Sequence, residues 1–141
     1  MGVPMVEAVC ERWKVPTECR KLAVMVTRDH LKVHTLKALR PVTVARMLTS
    51  WGLLQEGNEM TMERVLKACT ADARGRGEQH ENRAHPSEKL LPAMVAEFTR
   101  KVDVQELFAG RQMPQEGRKI GEAVERERVR RLTTLKKEWE V

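Results

Sequence analysis

His30 and His34 stand four residues apart in the segment TRDHLKVHT. On an α-helix that spacing puts both imidazoles on one face, an arrangement that suits a transition metal. The adjacent Asp29 leaves the helix about 100° away from His30, so a helix alone does not add it to the same ligand set. The ordinary alternative is a buried or half-buried histidine pair hydrogen-bonded to its neighbours. His80 and His85 lie in a polar stretch with no recognised ligand spacing and read as solvated side chains.

The second chemistry in the chain is phosphate binding. From Arg111 to Lys137 nine bases face four acids, a net +5 out of the whole-chain excess of +6. Lys and Arg side chains neutralise phosphates and release their counterions. The candidates for this role are Arg118, Lys119, Arg126, Arg128, Arg130 and Arg131, with Arg74 and Arg76 in second rank. Arg118 and Lys119 stand beside Gly117 and Gly121 at a predicted helix start, where free backbone amides favour an anion. The competing reading is a solvated charged face on which Glu122, Glu125 and Glu127 pair with the arginines.

Apolar periodicity places these residues on helices. A first helix is predicted over Pro4 to Trp13, with Val6, Val9, Cys10 and Trp13 on its inward stripe. Lys14 to Pro16 breaks it. A second runs from Pro16 or Thr17 to Val33 and turns Cys19, Leu22, Ala23, Val26, His30 and Val33 inward. Pro41 opens a third, whose Val44, Met47, Leu48 and Trp51 repeat at the helical period and which Gly52 caps. Thr61 is the expected N-cap of a fourth, carrying Met62, Val65, Leu66 and Cys69 on one face.

That fourth helix ends in ACTADARGR, Ala68 to Arg76. Asp72 and Arg76 have the spacing of an acid-to-base pair, and Gly75 and Gly77 supply residues able to take positive φ. Residues 75–87 read as an exposed loop. Glu88 to Val102 returns to helical spacing, with Pro92 fitting only the first turn, which puts the helix start at Leu91. Asp103 and Glu106 form a capping-box-like start to a short helix that Gly110 closes. The last helix is predicted from about Lys119 to Trp139, with Ile120, Val124, Leu132, Leu135 and Trp139 near one face. No segment alternates long enough for a strand, so the fold expected is all-α, a compact bundle of six or seven helices without a sheet. It is read as one helical domain over 1–141.

Composition narrows the function. With five aromatic side chains in 141 residues, stacking platforms for single-stranded bases are not expected. Cys10, Cys19 and Cys69 are odd in number and widely spaced, which argues against a disulfide framework or zinc knuckle. They read as buried thiols of a reducing, cytoplasmic compartment. No apolar run approaches a membrane span, and the acidic, weakly charged N-terminus does not read as a signal peptide.

The segments VCERWKVPTECRKLAVMVTRDHLKVHT, KACTADARGR and EGRKIGEAVERERVRRL, in that order, resemble the C-terminal part of bacterial CCA-adding tRNA nucleotidyltransferases of the type that carries an HD phosphohydrolase domain. The resemblance runs from about Met5 onward. It implies HD-like and body helices over 1–74 and tail-like helices over 88–141, contacting the acceptor arm of tRNA. A nucleotidyltransferase head is absent, so a fragment or truncated relative is expected, without nucleotidyl transfer of its own and with the head missing or separately encoded. The resemblance also places Arg28-Asp29-His30 where the family has a late histidine near the HD site, while the His-Asp pair itself is missing.

No cofactor is expected of the isolated chain, a divalent metal belonging to the intact family. Three readings follow. The first is an RNA-contacting module; the second is a residual HD-type metal-dependent phosphohydrolase on His30 and His34; the third is a structural module docking on a separate catalytic part, with Val3, Val6 and Val9 as its candidate face.

Overall fold

The computed structural model describes residues 2–140. Seven α-helices follow in order: α1 Gly2–Arg12, α2 Thr17–His34, α3 Pro41–Ser50, α4 Thr61–Arg74, α5 Leu90–Thr99, α6 Val104–Leu107 and α7 Gly117–Glu140. Two single 3-10 turns, Leu36–Ala38 and Glu78–His80, join them. Among the described residues there is no strand, as the absence of period-two alternation requires.

The boundaries follow local chemistry. Pro41 at the start of α3 needs no amide partner, and Gly52 beyond its end takes φ +71, a conformation that costs other residues steric strain. The Asp103 carboxylate caps α6 by accepting from the amides of Gln105 at 2.9 Å and Glu106 at 3.2 Å. Two expected end signals behave differently. Thr61 is the first residue of α4 rather than its cap, and no side chain caps that end. Gly75 closes α4 with φ −72, so the left-handed backbone falls instead on Gly77, at φ +127.

One apolar cluster joins five of the helices. Val33 of α2, Val44 and Leu48 of α3, Val65 and Cys69 of α4, Leu91 and Phe98 of α5 and Leu132 of α7 are buried together. Each fully buried aliphatic of this kind contributes about 1.5–3 kcal/mol. α2 packs between α1 and α4, and α7 packs along α3 and α5.

Covering α2 from two sides rotates its inward face away from the one its apolar residues suggest. Val33 is buried and Leu22, Val26 and His30 are half-buried as expected, but Cys19 is exposed and Asp29 is 1% exposed. On α1, Cys10 is buried, whereas Val9 and Trp13, expected inward, are 52% and 74% exposed. That helix has one substantial neighbour, α2, so only one of its faces can be covered. Residues 75–87 are largely exposed, with two corrections at His85 and Ser87, both buried.

Candidate nucleic-acid interface and histidine cluster

The basic surface is built on α7. Successive helical residues turn by about 100°, so Lys119, Arg126, Arg130 and Lys137 fall within roughly 40° of one another. All four are exposed. They form a stripe about 27 Å long, at 1.5 Å per residue. Val124, Arg128, Leu132 and Leu135 lie on the opposite side, against α3 and α5. Among the described residues Lys119 and Arg126 enter no ion pair, while Arg130 makes two short bonds to Glu127, at 2.7 and 2.8 Å. Those bonds hold the Glu127 carboxyl below the usual range. Arg118, at the first turn, lies 3.9 Å from Glu116 and from Glu122 and is 77% exposed, so neither contact fixes it.

Arg128 and Arg131 are placed differently. The C-terminus of α5 leaves carbonyls without helical partners. Arg131, 9% exposed, donates through Nη1 to the Arg100 carbonyl at 2.6 Å and through Nη2 to the Lys101 carbonyl at 3.2 Å. Its Nε faces Glu127 at 3.5 Å without completing a hydrogen bond. Arg128 donates to the carbonyl of Phe98 and stacks its guanidinium 5.7 Å from the centre of the Phe98 ring. Burial, with Arg131 beside it, pushes the Arg128 guanidinium below its ordinary value. The two arginines thus cap one helix with another, and Lys136 ties α7 further by donating to the Leu39 carbonyl at 2.9 Å. Spacing alone marked all these cations as surface; the signal that separates them is the helical phase of Arg128 and Arg131 with Val124 and Leu135.

Arg74 and Arg76 lie at the end of α4, away from this stripe in sequence. Arg74 donates to the Arg83 carbonyl at 3.2 Å, holding the following loop, and Arg76 stands 3.8 Å from Asp72.

The histidines make a directed chain. The Ser87 amide donates to His85 Nδ1 at 3.0 Å, which requires that nitrogen to be unprotonated. The neutral His85 ring therefore carries its proton on Nε2, which donates to His34 Nδ1 at 3.1 Å. His34 then holds its own proton on Nε2, a buried atom with no hydrogen bond, 3.4 Å from Asp72 Oδ2. Ser87 Oγ also donates to the Val33 carbonyl, so the loop is fastened to the end of α2 at two points. Burial and then the neighbouring His34 push the His85 imidazole down, against the opposing charge of Glu88. His85 is thus a structural partner of His34 rather than a solvated side chain. Its sequence signal was faint, a lone His-Pro-Ser in a polar stretch.

His30 faces elsewhere. Its Nδ1 pairs with the Val26 carbonyl at 3.0 Å, one turn back on its own helix. His34 Nδ1 pairs with His85, while its Nε2 lies near Asp72 without a hydrogen bond, and the His30 and His34 rings stand 6.3 Å apart between centres. Among the described residues no group of three His, Cys, Asp or Glu converges in a way that would hold a metal ion.

Next to this cluster is a carboxylate that the sequence did not single out as central. Asp29 accepts from Trp51 Nε1 at 2.8 Å and from Arg28 at 2.9 and 3.1 Å, with Lys32 at 3.4 Å. Burial by itself would raise the carboxyl's pKa. The Arg28 and Trp51 hydrogen bonds and the Arg28 and Lys32 charges outweigh it and hold the group below the usual range.

The chain is 40% identical, over 98% of its length, to the multifunctional CCA protein of Alkalilimnicola ehrlichii. The match takes in α2, ACTADARGR and the basic α7 together. This chain corresponds to one part of a multifunctional CCA protein. The multifunctional CCA proteins of Pseudomonas syringae pv. syringae and Alcanivorax borkumensis are 33% and 37% identical over 96% and 92% of the chain. The chain spans about a third of the length of these curated multifunctional CCA proteins: 32%, 31% and 30%. No family model matches, and no solved structure matches. No helix of the described residues is long and apolar enough to cross a membrane.

Proposed function

We propose that this chain is a tRNA-contacting helical module of a CCA-adding tRNA nucleotidyltransferase, holding the acceptor arm through its phosphates and performing no nucleotidyl transfer alone. The observation that carries the reading is the α7 stripe of Lys119, Arg126, Arg130 and Lys137, exposed along one line and backed by a helix fixed to α3 and α5. A duplex RNA arm is recognised by shape and backbone rather than by base edges, which a rigid row of cations suits. Arg118 adds an exposed cation beside the row at its N-terminal end, about 100° around the helix. In this reading Arg128 and Arg131 keep the helix in place, and Arg74 and Arg76 shape the loop after α4. The matching proteins are named for CCA, in keeping with CCA addition to tRNA as the process served; in this reading the rest of such a protein is the catalytic partner and the cytoplasm the setting.

Filter binding of the chain to folded tRNA across a salt series tests the proposal. Four phosphate contacts predict that log affinity falls against log salt with a slope of magnitude roughly 3–4. Absence of affinity at low salt, or affinity that salt leaves unchanged, would sink it.

A further inference from the structure

We propose that the apolar stripe formed by Met5 and Val9 on α1 and Trp13 in the turn that ends it is the docking surface for the portion of a multifunctional CCA protein that this chain does not match. Three observations point there. The stripe residues recur every fourth position, so they lie along one side of α1, and they are 71%, 52% and 74% exposed. The adjoining face of the helix, which carries the buried Cys10 and the half-buried Val3 and Val6, rests on α2, its one substantial neighbour. The chain spans 32% of the length of the Alkalilimnicola ehrlichii protein, so most of the polypeptide that could meet this side lies outside the match.

A tryptophan three-quarters exposed beside a methionine and a valine, on a protein of net charge +6, is unusual surface. Scattered apolar residues are ordinary, but a contiguous helical row marks an interaction site. The length of polypeptide outside the match argues for the rest of such a protein as the occupant, and a second copy is an outcome of the test below. The partner that fits presents an apolar groove or helix face. Exposed tryptophan that becomes buried at an interface commonly dominates its energetics. The inference rests on the match to the longer proteins and on exposure, and is independent of RNA contact.

The test uses a chimera in which this chain replaces its matching segment in the Alkalilimnicola ehrlichii protein. Met5→Gln and Trp13→Gln are placed together in the isolated chain and in the chimera, and thermal unfolding is followed for both. The isolated variant should melt where the isolated parent does, by circular dichroism, while the variant chimera should melt well below the parent chimera. Equal melting of the two chimeras would overturn the proposal. So would loss of helix in the isolated variant, which would assign the stripe to the chain's own fold. An isolated parent that dimerises in light scattering and is made monomeric by the substitutions would assign the stripe to a second copy. A parent chimera that fails to fold would also count against it.

Discussion

The indole Nε1 of Trp51, at the end of α3, donates to the carboxylate of Asp29, in the middle of α2, at 2.8 Å with both side chains buried. The bond joins two helices across 22 residues of sequence and fixes where α3 ends relative to α2. Trp51→Phe keeps an aromatic side chain but removes the donor and part of the buried ring system, leaving a buried carboxylate short of one partner. Chemical denaturation should show a loss of about 1–3 kcal/mol; an unchanged midpoint would mean that Arg28 alone satisfies Asp29.

The same carboxylate sets an acid dependence. Its folded pKa lies below the unfolded value of about 3.9, so its stabilisation is complete above that value and is lost as pH falls through the folded pKa. Asp29→Asn should reduce stability at neutral pH and flatten the acid limb of the stability curve. An acid limb as steep as the parent's would place the protonation elsewhere.

The His85 imidazole gives the opposite kind of window. A histidine whose folded pKa is depressed prefers the neutral form in the fold, so its contribution is complete above an unfolded pKa of about 6.5 and shrinks as pH falls below it. The groups facing it are His34, Glu88 and, through His34, Asp72. Thermal unfolding should show stability rising as pH is raised toward about 6.5, and His85→Asn should remove most of that rise. An identical slope in the variant would contradict the assignment.

The inward and outward cations of α7 should separate in stability. Arg131→Ala removes two bonds to the end of α5 and should cost about 1–3 kcal/mol in urea unfolding, whereas Arg126→Ala should change stability by less than about 0.5 kcal/mol. Equal effects would mean that the helix is not phased as described.

The thiols should differ as their surroundings do. Burial pushes Cys69 up to about 11, with Asp72 and Asp29 adding to the rise, while Cys19 is exposed. Only the thiolate attacks. Ellman's reagent at pH 8 should therefore react quickly with one thiol of the native protein, and Cys19→Ser should abolish that phase.

Much of this architecture is legible in the sequence because helices advertise themselves by period. Pro41, Gly52 and the Asp103 cap sit where their chemistry predicts, and the long basic helix is visible at once. What periodicity cannot reveal is which face of α2 meets two neighbours. An apolar-stripe reading therefore turned Cys19 inward and left out Asp29, whose burial depends on Trp51 arriving from another helix. His85 was hidden for a related reason: a polar loop has no period, and its one buried ring is selected by His34, 51 residues away. On α1 the period was correct, but with one substantial neighbour the helix covers only part of the predicted stripe, burying Cys10 and half-burying Val6 while leaving Val9 and Trp13 exposed.

The most direct measurement is the affinity for folded tRNA, at low salt, of the chain carrying Lys119→Gln, Arg126→Gln, Arg130→Gln and Lys137→Gln together. All four side chains are exposed, so the fold should persist, as circular dichroism would verify. The account predicts at least a tenfold loss of affinity and a shallower salt dependence, from the loss of up to four phosphate contacts. Parental affinity with a parental salt slope would contradict it.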